Sequence, residues 1–211
     1  TKAAAPTVEW IGHEDLTTPT ELLESGNSAN IRVSAPGGIK SMQVDITSAP
    51  LATLLPLVNL AESMDLTSPA TEEMASMLAQ LGFPTPAQLL NQQHVYFQIG
   101  GLIDMLAMVC AEVTETTNSN FKFTVTDNAD QTEEITLQYV KTVFSPTLKL
   151  TSADLWTNTA SFDLMYIPES AASITLTYKK STDTTWQTAT VNNKTATIAP
   201  EWEDMTNADW S

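Results

Sequence analysis

The sequence predicts a mainly β protein made of two β-sandwich domains, residues 1–142 and 143–211. Short runs near both ends of the chain alternate apolar with polar residues. Between about residues 49 and 92 the apolar spacing becomes helical, which indicates a helical insertion in the first domain. The 211 residues are 42% hydrophobic, enough to bury a core in one or two domains.

The first domain is predicted to contain strands before and after the insertion. Residues 8–11 form the predicted opening strand, and Pro36-Gly37-Gly38 is a turn signal between the next two. Further strands begin near His94 and flank a turn at residues 127–130. The residues expected to face the core are Ile31, Val33, Met42, Val44, Ile46, Val95, Phe97, Ile99, Phe121, Phe123, Val125, Ile135, Leu137 and Tyr139.

The predicted insertion consists of short helices. Pro56 lies within a group of helically spaced apolar residues and removes a backbone hydrogen bond, so we expect two short turns there. The clearest helix follows, with Ser68 as its predicted N-cap and Gly82 as its predicted C-terminal stop. Thr85 is expected to begin another short helix, and helical spacing returns at residues 102–109.

The second domain is predicted to be incomplete at its C-terminus. A short boundary at residues 143–146 precedes it, and no glycine occurs after Gly101. A seven-stranded sandwich would need two strands more than the pattern supplies, which leaves part of the core uncovered. We expect either a fragment of a longer chain, which we favour, or completion by another chain. The predicted strands are 148–150, 159–166, 173–180, 186–191 and 195–198.

Composition excludes several classes of function. The chain has 9 basic and 25 acidic residues and a net charge of −16, so it lacks the cationic surface that nucleic acids require. Anionic lipid is disfavoured for the same reason, and no apolar run is long enough to span a membrane. The single cysteine, Cys110, allows neither an internal disulfide nor a cysteine zinc site and is expected to be a small buried hydrophobe. We expect no cofactor.

Candidate binding residues are mainly aromatic. Trp156, Trp186 and Tyr178 lie in the second domain, and exposed aromatic rings are suited to stacking on sugars. Asp127 and Asp130 in the turn between two strands form a weak calcium candidate. An Asx-rich turn is the preferred interpretation of that pair.

Other groups of residues suggest no chemistry. His13 and His94 lack supporting metal ligands, and there is no Gly-x-Ser-x-Gly motif, so we expect no enzyme. Methionines are frequent in and near the insertion. They are expected to belong to the core, and an open Met-lined groove is the alternative.

Two resemblances add to this interpretation. Residues 159–166, Ile-Thr-Leu-Thr-Tyr-Lys-Lys (174–180) and Thr-Trp-Gln-Thr-Ala-Thr-Val (185–191) resemble fibronectin type III modules. Ala-Pro-Gly-Gly-Ile-Lys-Ser-Met-Gln-Val-Asp-Ile (35–46) and residues 121–132 are similar to secreted, lipid-anchored Bacteroidetes surface proteins with tandem immunoglobulin-like domains. This resemblance implies an extracellular location, with a lipid anchor upstream of Thr1, and a role in adhesion or glycan handling.

The leading hypothesis is therefore a non-catalytic extracellular module for adhesion, glycan binding or spacing. Its expected partner is a glycan or a host or cell-surface protein, and the chain is expected to be a monomer. One alternative is an accessory region of a carbohydrate-active enzyme whose catalytic part lies outside this chain. Another is a fimbrial or assembly subunit that exchanges strands.

Overall fold

The structure is a computed structural model that describes residues 2–154, 159–167, 171 and 173–199. Its internal contacts divide the chain into two compact units, with the division between Val143 and Phe144. This division lies beside the predicted domain boundary. The described residues are mainly β, as predicted.

The first unit contains eight strands, four α-helices and one 3-10 helix. The strands are β1 (Thr7–Trp10), β2 (Thr20–Glu21), β3 (Ala29–Ser34), β4 (Ile39–Thr47), β5 (Ser63–Asp65), β6 (His94–Ile99), β7 (Thr117–Asp127) and β8 (Thr132–Lys141). The α-helices are α1 (Ala49–Ala52), α2 (Glu72–Gln80), α3 (Pro86–Leu89) and α4 (Gly101–Cys110), and the 3-10 helix is Leu55–Val58.

Two sheets of the first unit share one core, which is consistent with a β-sandwich. The first sheet has the order β1-β3-β6, and the second has the order β2-β8-β7-β4-β5. The pairs are antiparallel except for β2 and β8, which are parallel. Phe97 of the first sheet packs edge-on against Phe123 of the second, with 5.8 Å between ring centroids. The residues predicted to face inward are buried, so the predicted alternation is confirmed.

The helical insertion is only partly as predicted. The 3-10 helix carries Pro56 in its first turn and is separate from α1, which confirms the two short turns. However, β5 also lies in this region and pairs with β4, which the spacing did not indicate. The N-cap prediction was wrong, because Asp65 accepts the backbone N–H of Thr67 and Ser68 donates to the Asp65 carbonyl, which keeps these residues in a turn. Helix α2 instead begins after Thr71, whose hydroxyl accepts the N–H of Met74 at 3.1 Å.

The end of α2 and the start of α3 follow the predicted signals. Gly82 has φ +96°, a left-handed conformation that suits glycine after a helix. A Cβ atom at this position would lie 2.1 Å from the carbonyl oxygen of Gln98 in β6. The loop after α2 therefore passes directly beside the edge of the first sheet. Thr85 then caps α3, with its N–H donating to Gln88 Oε1 at 3.0 Å.

The strands of the second unit match the predicted ones only in part. They are β9 (Thr147–Asp154), β10 (Thr159–Met165), β11 (Thr177–Tyr178), β12 (Gln187–Thr188), β13 (Thr190–Asn192) and β14 (Thr195–Ile198). One sheet has the order β13-β14-β10-β9, and β11 pairs only with β12 among the described strands. The predicted strand 173–180 is thus reduced to two residues, and the predicted strand 186–191 is divided between the two sheets. Asn193, with φ +57°, makes the turn that lets β13 pair with β14.

The core of the second unit is small. The clustered buried residues among those described are Ala160, Ala189 and Ile198. Leu148 and Leu150 of β9 lie opposite Leu164 and Phe162 of β10, so all four share one face of the sheet. Leu148 and Leu150 are nevertheless 47% and 56% exposed, so this face is uncovered along β9.

Candidate functional site

Trp186 is the accessible aromatic residue among the predicted candidates. It directly precedes β12 and is 50% exposed. Tyr178 of β11 is partly buried and packs against the small core of the second unit, so it has a mainly structural role. Trp156 lies outside the described residues. The two described candidates are close in the hairpin but differ in what they offer a ligand.

A lysine is held over the Trp186 ring. The ammonium nitrogen of Lys179 lies 5.1 Å from the ring centroid, a cation–π contact. The same ammonium donates to the carbonyl oxygen of Asp183 at 3.0 Å, which fixes it within the hairpin between β11 and β12. The turn is further closed by the Asp183 N–H, which donates to the Lys180 carbonyl at 3.0 Å. This arrangement, which we call the Trp186 hairpin (residues 177–188), holds a positive charge over one face of a half-exposed aromatic ring.

The weak calcium candidate is a hydrogen-bonded turn. Asp127 is fully buried, and its carboxylate accepts the backbone N–H of Ala129 at 2.9 Å, the backbone N–H of Gln131 at 2.8 Å and the side-chain amide of Gln131 at 2.9 Å. Burial alone would raise the pKa of Asp127, but these hydrogen bonds outweigh it and the pKa is lowered. Asp130 instead pairs with Lys40 at 2.5 Å.

The calcium hypothesis therefore has no support. The oxygens of Asp127 are already engaged by N–H donors, which a metal ion would have to displace. No group of three or more His, Cys, Asp or Glu residues in the described part of the chain is arranged to hold a metal ion. The preferred interpretation, an Asx-rich turn, accounts for both aspartates.

A cavity beside β1 was not predicted from the sequence. Its volume is about 660 Å³, and Glu9, Trp10 and His13 are among its lining residues. The rings of Trp10 and His13 stack with centroids 3.7 Å apart, and Glu9 pairs with Arg32 at 3.3 Å. Trp10 is only 3% exposed, so its ring belongs to the core and offers a ligand little surface. The sequence indicates this contact only through the positions of Trp10 and His13 on either side of Gly12. In the structure Gly12 has φ +84°.

The methionines and the cysteine are structural. Met64 is buried, and Met74, Met77 and Met105 pack half-buried against the core, which favours the core interpretation. Met108 is the exception and is 63% exposed. The predicted burial of Cys110 is confirmed, and burial raises the pKa of its thiol.

Comparisons with known proteins do not identify a family. No protein-family model matches the chain, and no curated protein matches its sequence. In the part of the chain that the structure describes, no helix is both long enough and apolar enough to cross a bilayer. The functional argument therefore rests on the residues themselves.

Proposed function

We propose that the chain is a non-catalytic extracellular surface module that binds glycans through the Trp186 hairpin. The observation that carries the proposal is the half-exposed indole of Trp186 beside the Lys179 ammonium. An exposed indole presents a flat apolar face to the C–H groups of a sugar ring, and a charged group beside it fixes the orientation of the sugar. The hydrogen bonds of Lys179 and Asp183 hold the ammonium over the ring before the ligand arrives, which lowers the entropic cost of binding.

The proposed fold identity is immunoglobulin-like for the first unit and fibronectin type III-like for the second. In the first unit β1 pairs with β3 in one sheet, and the chain then crosses so that β2 pairs in parallel with β8 in the other. The N-terminal segment thus contributes to both sheets, which supports a Greek-key sandwich of the immunoglobulin kind. In the second unit, β9, β10 and β14 form neighbouring strands of one sheet while β11 and β12 form another, in line with the proposed module.

An outer-membrane lipid anchor and an extracellular location complete the proposal. They follow from the resemblance of residues 35–46 and 121–132 to lipid-anchored surface proteins. A net charge of −16 is compatible with a soluble exterior in that setting. The same location would suit a spacer that presents further domains, including those of a carbohydrate-active enzyme.

A glycan array probed with the purified chain tests the proposal. We expect the chain to bind at least one class of glycan, and Trp186→Ala to weaken that binding by about tenfold or more, because the stacking surface is lost. Tyr96→Ala is the matched control, since Tyr96 is an exposed aromatic residue of the first unit and is 61% exposed. A silent array would contradict glycan binding and leave only the spacer role. Equal binding by the Trp186→Ala variant would exclude the Trp186 hairpin as the binding site.

One observation favours strand exchange as a second candidate function. Among the described strands β9 is the outer one of its sheet, and Leu148 and Leu150 are exposed on its apolar face. Such an edge is suited to pairing with a strand from another subunit. Sedimentation of the full chain over a range of concentrations distinguishes the two candidates, because strand exchange requires oligomers and glycan capture does not.

A further inference from the structure

A second strand edge, in the first unit, is open along β6. β6 is the outer strand of the sheet β1-β3-β6, and within the described residues it pairs only with β3. It has six residues, whereas the outer strands β1, β2 and β5 have four, two and three. β6 is therefore the longest edge strand of the first unit. Long unprotected edges are the places where a further strand can add.

The approach of Gly82 shows which backbone groups of β6 face outward. Because a Cβ on Gly82 would lie 2.1 Å from the Gln98 carbonyl oxygen, this carbonyl points to the loop and away from β3. In an antiparallel strand the N–H and C=O of one residue point to the same side, and successive residues alternate. His94 and Tyr96 therefore also direct their N–H and C=O groups outward. Gly82 covers the Gln98 end of the edge and leaves the His94–Tyr96 end open.

The outward side chains of β6 do not protect this edge. Natural edge strands commonly carry lysine, proline or a bulge that prevents pairing with another chain. Here the exposed positions are His94, Tyr96 and Gln98, and the pairing with β3 runs without a bulge from Ala29 to Ser34. Tyr96 is 61% exposed, and its hydroxyl donates to Asn30 Oδ1 at 3.1 Å, so the side chain lies back along its own sheet.

A groove of about 450 Å³ runs beside this edge. Phe83, Pro84 and Gln88 line one side of it, and His94, Val95 and Tyr96 line the other. Phe83 and Val95 lie at the floor of the groove with only 3% and 9% of their surfaces exposed. His94 and Gln88 are exposed along its rim. An extended chain placed along β6 would direct alternate side chains to the apolar side and the others to solvent.

We propose that the edge of β6 binds an extended segment of another polypeptide by β-strand addition, with apolar residues at alternate positions and lysine or arginine between them. The backbone groups of His94 and Tyr96 bind the segment, and the pleat directs its apolar side chains to the groove floor and its basic side chains to solvent. The basic residues are attracted by the net charge of −16. They lie on the solvent side, next to the aromatic side chains of His94 and Tyr96. A second copy of this chain is disfavoured as the occupant, because it carries the same negative charge.

Selection from a displayed library of random dodecapeptides on the immobilised full chain tests this proposal. We expect enrichment of sequences that alternate apolar and basic residues. Each enriched sequence is then synthesised as two peptides, one with N-methyl groups on the odd-numbered residues and one with them on the even-numbered residues. Only one set of amides pairs with β6, so the peptide methylated on that set should bind at least about tenfold more weakly than the other. This measurement does not depend on altering the protein.

A variant of the protein tests the same backbone pairing by altering β6 instead of the peptide. Tyr96→Pro removes an outward N–H, which an edge strand tolerates, and should abolish binding while circular dichroism shows a folded chain. Trp186→Ala serves as the control and should bind the peptides unchanged. The proposal is wrong if no sequence is enriched, if both phases of N-methylation bind equally, or if the folded Tyr96→Pro variant keeps its affinity. It is also wrong if the chain sediments as a dimer that Tyr96→Pro dissociates, because a second copy would then occupy the edge.

Discussion

Replacing Gly82 by alanine is expected to destabilise the first unit more than the same replacement at Gly12. Both glycines have left-handed φ angles, +96° at Gly82 and +84° at Gly12. That conformation costs alanine about 1–2 kcal/mol, partly offset by about 0.4–1 kcal/mol from the lower entropy of the unfolded chain. A Cβ on Gly12 would meet no atom within 4 Å, so Gly12→Ala is expected to cost about 1 kcal/mol.

Gly82→Ala adds a steric cost to this conformational cost. The new Cβ would lie 2.1 Å from the Gln98 carbonyl oxygen, which is held by the pairing of β6 with β3. The loop must retreat by more than about 1 Å to restore ordinary contact. It carries Phe83, which packs against the rings of both Phe97 and Phe123. Overpacking of this kind costs about 1–3 kcal/mol, so we expect a total of about 2–4 kcal/mol for Gly82→Ala.

Native-state hydrogen exchange in the full chain measures the two variants. The slowest amides of β3 and β7 report the free energy of unfolding of the first unit without interference from the second. The difference between Gly82→Ala and Gly12→Ala then isolates the contact with Gln98. Equal losses of stability, within about 0.5 kcal/mol, would refute the close approach of the loop to β6. The outward orientation of the Gln98 carbonyl, inferred from that approach, would be wrong as well.

Two further predictions concern buried polar groups. The Tyr139 hydroxyl is buried without a hydrogen-bond partner among the described residues. Tyr139→Phe should therefore leave the free energy of unfolding unchanged or raise it by up to about 1–2 kcal/mol, as measured by urea titration. A clear loss of stability would show that the hydroxyl has a partner. The lowered pKa of Asp127 means that its charge stabilises the fold above about pH 4 and that this stability is lost as the pH falls through the folded-state pKa. The difference in stability between the native chain and Asp127→Asn, measured by thermal unfolding, should therefore become smaller below pH 4. A difference that stays constant from pH 7 to pH 2 would show that the charge of Asp127 does not cause it.

Local patterns predicted the strands because side-chain alternation records which face is buried. β6 shows this most clearly: Val95, Phe97 and Ile99 are buried, and the residues between them are exposed. Pro56 and Gly82 were equally informative, since each acts through its own backbone geometry. β5 was missed because a strand of three residues with one buried side chain, Met64, has no measurable period.

The Ser68 error has a different origin. Ser68 and Thr71 are both suitable N-caps, and the choice between them depends on the turn that Asp65 makes before the helix. A cap signal states where a helix can begin, but a competing side-chain hydrogen bond decides where it does begin. The same limit applies to the second unit, where the alternation predicted one strand at 186–191 but the chain divides it between β12 and β13.

The candidate sites were harder to predict than the core because they depend on which side chains and strand edges the rest of the fold leaves uncovered. Tyr178 and Trp186 were equivalent candidates in the sequence, yet one packs against the core and the other is half exposed. The period of β6 identified its outward side chains, but the strand order that leaves its edge open results from pairings between distant residues. Burial is encoded in each strand, whereas an open edge is a property of the whole sheet. Function that depends on edges and exposed rings must therefore be derived from the assembled fold.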